Sequence, residues 1–224
     1  VAFLPALLFS WICLSKFNFL YPLWYDIINI DQTVAQYGPQ NHNRQHFELT
    51  TKRERVRLFS AINKAIHHSK YDLRGLVYHN PIGQPIDRLL TPPEIIHLKD
   101  VARLVRITFS IGWVTFSLWL VVTLVIIALK RVFPPLKHIV LWGISVLLVV
   151  TGLIAIFGAK PSFYLLHQWI FPTGHPWFFY YQDSLMTTMM KAPDLFGYIA
   201  TTWILLAILI WILLIFMVQN FQRN

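Results

Sequence analysis

The sequence predicts an all-α polytopic membrane protein with four transmembrane helices and a small extracytoplasmic cap. Three observations carry that prediction. Only 13% of the 224 residues are charged and 56% are apolar, whereas soluble domains hold about a quarter charged residues. A mean hydropathy of +0.52 excludes disorder, because so apolar a chain collapses or enters lipid. Finally, the apolar residues gather into runs near the length of about 20 residues that crosses a bilayer as a helix. One cysteine excludes a disulfide framework and Cys-based zinc modules. The nine glycines fall in no phosphate-cradling spacing, so P-loop and dinucleotide-binding readings are excluded too.

The predicted spans are Val1–Trp24, Val105–Leu129, Ile139–Phe157 and Phe196–Val218, within a single membrane domain over 1–224. The first run contains Lys16 and Asn18. It is read as a helix rather than a cleaved signal, because it lacks a basic start and a small-residue cleavage site. Residues 25–104 then form an outward cap loop and 158–195 a second outward loop. Within the cap, Thr51-Lys52-Arg53-Glu54 is a capping box. Val56, Phe59, Ile62 and Ile66 follow at helical spacing, which predicts an amphipathic helix from Lys52 to His67. Tyr78 to Pro85 is punctuated by Pro and Gly and reads as turns. Thr91-Pro92-Pro93-Glu94 is a second capping box with proline in the first helical turn. No breaker follows before Lys130, so one long helix is expected to rise outside the membrane and continue as the second span.

Orientation follows from the short connection between the second and third spans. Lys130, Arg131 and Lys137 lie there with no acid, which assigns it to the cytoplasm. Both chain ends are then expected inside, in agreement with Arg223, and the two longer connections outside. The formal charge of +9 is not read as nucleic-acid binding, since no nucleic acid meets the outer face of a membrane. Most of those charges are read as solvated helix faces, and anionic lipid head groups or the acidic ends of membrane-bound substrates are the expected partners of the rest.

Glu94, His97, Asp100 and Arg103 recur at i, i+3 spacing on the outer end of the long helix, forming one slowly turning stripe. Asp100 is expected to reach His97 across one turn and orient its imidazole. The spacing alone fits an interfacial row of ion pairs equally well. The second outward loop is crowded with aromatic residues from Phe163 to Tyr181, as an anchoring belt at the interface would be. Its His167 sits among apolar neighbours, where burial favours the neutral imidazole that a general base needs. His67 and Asp72 match the H-x-x-x-x-D pattern of glycerolipid acyltransferases, without the further blocks of that family. His67 and His68 are read instead as a helix end. No metal-ligand spacing occurs, so no metal or other cofactor is expected.

Two runs together resemble a family. Glu94, His97, Asp100 and Val101 resemble its E-x-x-H-x-x-D-V signature. His167, Ile170, Phe171, Trp177, Asp183 and Leu185, closing with Pro193 and Phe196, resemble its second. The family is the lipoprotein intramolecular transacylases (Lit) and related small bacterial membrane proteins. The resemblance implies a bacterial cytoplasmic-membrane enzyme with its site on the extracytoplasmic side. It implies that the sn-2 acyl chain of a diacylglyceryl-cysteine lipoprotein moves to the α-amino group of the same cysteine, without ATP, metal or a second acyl donor. His97 and His167 would be catalytic, with Asp100, Glu94 and Asp183 in orienting roles. A different class of function stays open, that of a non-catalytic accessory subunit of a larger membrane complex.

Overall fold

The computed structural model describes residues 2–68, 71–131 and 135–223. Val1, the Ser69-Lys70 pair of the H-x-x-x-x-D stretch, residues 132–134 of the basic connection, Asn224 and the side chains of Leu136, Ala159 and Arg223 lie outside the described residues. The chain is largely helical. In order it forms α1 (Phe3–Lys16), α2 (Tyr21–Ile27), α3 (Ile30–Tyr37), α4 (Lys52–His67), the strands β1 (Val77–His79) and β2 (Pro85–Arg88), then α5 (Pro92–Ala128), α6 (Leu136–Phe157), α7 (Ala159–Ile170), α8 (Leu185–Met190) and α9 (Asp194–Arg223). Among the described residues α5, α6 and α9 are long and apolar enough to cross a membrane, and the pair α1 and α2 gives a fourth span if counted as one.

Two compact units divide the chain. One comprises Val1–Ser10, Ser110–Thr173 and Ile204–Asn224. Its helices carry exposed Leu118, Leu148, Ile156 and Leu205, the surface expected of helices that face lipid. Ala6, Trp211 and Ile215 form a small buried cluster, and the Phe3 ring meets Trp211 edge-on at 5.7 Å. Gly143 is required there, because a Cβ at that position would sit 2.3 Å from the Trp211 ring.

The other unit comprises Trp11–Phe109 and Gly174–Trp203. Tyr21 stacks on Phe59 at 4.1 Å and donates its hydroxyl hydrogen to the Met189 carbonyl at 2.8 Å, joining α2, α4 and α8. Buried Arg55 of α4 holds Asp31 at 2.6 Å, the Tyr25 hydroxyl, and the carbonyls of Glu48 and Thr50. A buried guanidinium is tolerable only when its donors are satisfied in this way. The predicted α4 appears over its predicted residues, with the Thr51 hydroxyl accepting from the Glu54 N–H. The stretch read as turns is the tip of a short antiparallel hairpin, in which Val77 pairs with Arg88 and Tyr78 with Asp87.

The first span departs from expectation. It is not one helix through Trp24, because α1 ends at Lys16 and the chain bends by 78° before α2. Asn18, Phe19 and Leu20 all take left-handed backbone conformations, which no α-helix can include. The polar residues in this run explain the site of the break. Asn63 of α4 donates to the Ser15 carbonyl at 2.8 Å and reaches Asn18, supplying a partner for a carbonyl of the interrupted helix. The segment 158–195, expected as the second outward loop, also holds more order than its composition suggests. It contains α7, which starts after Gly158 at φ +86° with Pro161 tolerated in the first turn, and α8.

Candidate active site

The predicted stripe lies on the first turns of α5. Glu94 is fully buried. Its Oε2 accepts from the Thr91 N–H at 2.5 Å and the Thr91 hydroxyl at 2.6 Å, so the carboxylate reaches back to the cap as the box requires. Its Oε1 accepts from the Ser184 hydroxyl at 2.5 Å. Ser184 is itself the N-cap of α8 and accepts from the Thr187 N–H at 2.9 Å. One buried carboxylate thereby ties the start of α5 to the start of α8, an arrangement that keeps a desolvated charge supplied with donors.

One turn further along α5, the His97 ring packs edge-to-face against Phe179 at 5.9 Å. One turn beyond that, Asp100 Oδ2 is engaged by the His175 imidazole Nδ1 at 2.6 Å. The carboxylate that the sequence pairs with His97 thus holds a residue 75 positions away. The three contacts run in reverse order along the later segment: Asp100 with His175, His97 with Phe179, Glu94 with Ser184. The E-x-x-H-x-x-D face of α5 is therefore a seam, with the segment 175–184 laid antiparallel along it. Asp183 sits at the far edge of that segment. Its Oδ1 contacts the His42 Nδ1 at 2.8 Å, and its carbonyl accepts from Asn43 at 2.9 Å. The His42 N–H donates to the Gln182 carbonyl, so residues 42–43 fasten the segment on its other side.

His167 belongs to the first unit described above, on α7. Its Nδ1 lies 2.8 Å from the Phe163 carbonyl one turn back. A carbonyl only accepts, so Nδ1 carries the hydrogen and Nε2 holds the lone pair. The ring lies against Phe163 at 3.8 Å and Phe171 at 5.3 Å. Burial pushes its pKa below the ordinary histidine value, and the bond to Phe163 opposes that in part. The result is the neutral imidazole that the apolar sequence around it suggested.

His67 has a different place. Its Nε2 accepts from the Trp11 indole N–H at 2.9 Å, and its Nδ1 lies 2.8 Å from the Asn63 carbonyl. Both ring nitrogens are thus used inside the fold, while Asp72 accepts from the Arg74 N–H. Burial lowers the His67 pKa as well. This is a brace at the break in the first span, and the H-x-x-x-x-D match brings no pair together. Sequence reasoning missed His175, His42 and Ser184. Only Ser184 carried a local signal, a hydroxyl residue directly before the apolar run Leu185-Met186.

These features define a helical integral membrane protein that carries histidines and carboxylates outside its long apolar helical runs. The sequence profile described as "Lipoprotein intramolecular transacylase Lit" matches residues 2–196. The chain belongs to that family, and is accordingly an acyltransferase of lipoproteins. It is also similar to a structure, determined in meso, of the membrane integral lipoprotein intramolecular transacylase Lit from Bacillus cereus bearing one histidine-to-arginine substitution. That likeness has a TM-score of 0.65 at 18% identity and covers 99% of this chain and 89% of the other, which shows a shared fold. No curated protein sequence matches.

Proposed function

We propose that the protein moves the sn-2 acyl chain of a diacylglyceryl-cysteine lipoprotein onto the α-amino group of the same cysteine. The observation that carries this reading is His167, whose tautomer is fixed with the lone pair on Nε2 and whose burial keeps it neutral. An α-amine with a pKa of about 7.7–8.0 is partly protonated near neutrality, so the attack needs a base. His167 Nε2 accepts the amine proton as nitrogen bonds to the ester carbonyl carbon. The carbonyl–glycerol C–O bond then breaks, and His97 donates a proton to the departing glycerol oxygen. The proton on His167 returns through solvent to His97, which leaves an amide, a free hydroxyl and an unchanged enzyme. Ester-to-amide exchange is downhill, so what the protein supplies is proximity and acid–base catalysis, with His97 also stabilising the oxyanion.

Glu94, Asp100 and Asp183 act in this reading through the segment they hold, not by touching the substrate. The protein sits in a bacterial cytoplasmic membrane with both termini inside. Residues 25–104 and 158–195 stand on the outer side with the active site, and membrane lipids surround the spans. Exposed Lys130, Arg131 and Lys137 support that orientation. The test is the purified protein incubated with a lipopeptide carrying different acyl chains at sn-1 and sn-2. Tandem mass spectrometry should find the sn-2 chain on the N-terminal fragment at unchanged total mass. An unmodified amine after prolonged incubation, with the protein folded, would overturn the reading in favour of an accessory subunit.

A further inference from the structure

The bend after Lys16 turns the chain into α2, whose seven residues sort by face. At about 100° per residue, Tyr21 and Tyr25 share one side, and both are buried. Tyr21 lies on Phe59 and Tyr25 bonds to Arg55 and Asp31. Leu23 and Ile27 share the opposite side and stand 50% and 51% exposed, with Phe17 of the bend at 65%. The two flanks between these sides differ in chemistry. On one, the Asp26 carboxylate is held by Lys52 Nζ at 2.6 Å. On the other, the Trp24 ring leans on Tyr198 at 5.1 Å. Around its axis α2 thus presents a charged flank, an apolar edge and an aromatic flank, in that order.

Tyr198 gives that order a depth. It lies one turn inside α9, which is long and apolar enough to cross a membrane and opens with exposed Asp194. An exposed carboxylate stays out of the hydrocarbon, and four residues of helix advance about 6 Å. The Trp24–Tyr198 contact therefore lies about one turn below the level of Asp194, where indole and phenol rings collect at a membrane–water boundary. Lys191 holds the other end of α2 beside the same helix start, donating to the Ile28 carbonyl at 2.6 Å. The direction of α2 agrees, because it leaves the line of α1 by 78°. A helix turned that far from a membrane-crossing direction runs nearly in the membrane plane.

We propose that α2 is an interfacial helix, not the second half of a span. Phe17, Leu23 and Ile27 enter the headgroup–acyl boundary of a glycerophospholipid leaflet, while Asp26 and Lys52 stay on its aqueous side. The charged pair excludes the hydrocarbon core, since its side chains are 65% and 43% exposed and would be stripped of water there. The apolar edge argues against bulk water on the other side, and its mixture with a charged flank is that of a helix lying about 5–10 Å into the boundary. Lipid is the occupant because the aromatic flank is continuous with exposed Tyr198 on a membrane-crossing helix. The proposal stands apart from the transacylase reading, and its readout is depth, not turnover.

The experiment uses the unaltered chain in phosphatidylcholine vesicles doped with a photoreactive phosphatidylcholine. The diazirine sits either on an acyl carbon near the glycerol ester or at the chain end, and adducts are located by tandem mass spectrometry after digestion. Leu23 and Ile27 should take adducts from the shallow probe in preference to the deep one. Leu209, exposed on α9, should show the reverse, and Ile82, 77% exposed at the hairpin tip, should take neither. Deep-probe adducts on Leu23 and Ile27 matching those on Leu209 would make α2 part of a span and overturn the proposal. Absence of both adducts, as on Ile82, would return the face to water and overturn it as well. Shallow adducts that fade as the protein-to-lipid ratio rises would show a second copy covering the face, and the lipid assignment would fall.

Discussion

Ser184→Ala isolates the joint between α5 and α8, because the hydroxyl it removes makes two buried bonds at once. The variant loses the acceptor that caps α8 through the Thr187 N–H, for which about 1 kcal/mol is typical. It also strips one donor from the Glu94 carboxylate, where a bond to a charged group contributes about 1.5–3 kcal/mol. The sum is about 2.5–4 kcal/mol, with no cavity larger than one oxygen atom. In a chain of this size 1 kcal/mol moves the melting midpoint by about 2–4 °C, so a fall of about 5–16 °C is expected. Unfolding in a mild detergent, followed by tryptophan fluorescence, measures it. Glu94→Gln should cost less than the alanine change, since Gln Oε1 can still accept from Thr91 while its NH₂ faces Ser184 Oγ. The double variant separates joint from coincidence: coupled residues in contact show about 0.5–3 kcal/mol of non-additivity. A midpoint within 2 °C of wild type, or strictly additive losses, would refute the view that one carboxylate ties the two helix starts together.

Four further outcomes follow from the same geometry. His97→Ala and His167→Ala should each lower conversion of the lipopeptide about 10²–10⁴-fold without unfolding the protein, and the double variant should be scarcely worse than either; additive losses would separate their roles. Because burial lowers the His167 pKa, the base is present down to a pH below the ordinary 6.5 of histidine, so kcat/KM should gain its enzyme-dependent acid limb below pH 6.5. A limb above that pH, or one unaltered in His167→Gln, would remove His167 from the base role. Asp100→Asn and His175→Ala should reduce turnover by similar modest factors and together do no more than either, which limited proteolysis near residues 174–184 can match to loosening of that segment. His67→Ala should lower the unfolding midpoint, through the buried Trp11 indole left without its acceptor at about 1–3 kcal/mol, while conversion at 25 °C persists.

Much of this architecture was legible because its signals are local. Thr51 with Glu54 and Thr91 with Glu94 announce helix starts three residues apart, and α4 and α5 begin where those caps stand. Long apolar runs likewise announce α5, α6 and α9, since a helix in lipid satisfies its own backbone. The break after Lys16 was less legible. Its polar residues were visible, but the group that stabilises the break is Asn63, 45 or more positions away. The contact of Asp100 with His175 was illegible for the same reason. A spacing of three residues on a helix identifies neighbours on that helix, whereas a partner brought by tertiary folding, here His175, leaves no periodic trace. The aromatic density from Phe163 onward hid α7, because a belt at the interface and the buried face of a helix draw on the same side chains.

The seam gives each of the two carboxylates that flank His97 on the stripe a partner on the later segment. Successive residues at i+3 are displaced by about 60° around the helix and about 4.5 Å along it. Glu94, His97 and Asp100 therefore point in graded directions and cannot all converge on one small group. A segment laid along the helix meets all three, and it does so with its order reversed. Anchored by Ser184 at one end and His175 at the other, it fixes Phe179 against the His97 ring, while Asp183 and residues 42–43 hold its outer edge. For a transfer within one molecule no second substrate has to be captured, and effective concentration is set by how firmly the reacting groups are confined. Rigid clamping of the wall beside His97 is thus the contribution that carboxylates can make without entering the chemistry, and the two ends of the clamp are the two outer positions of the motif.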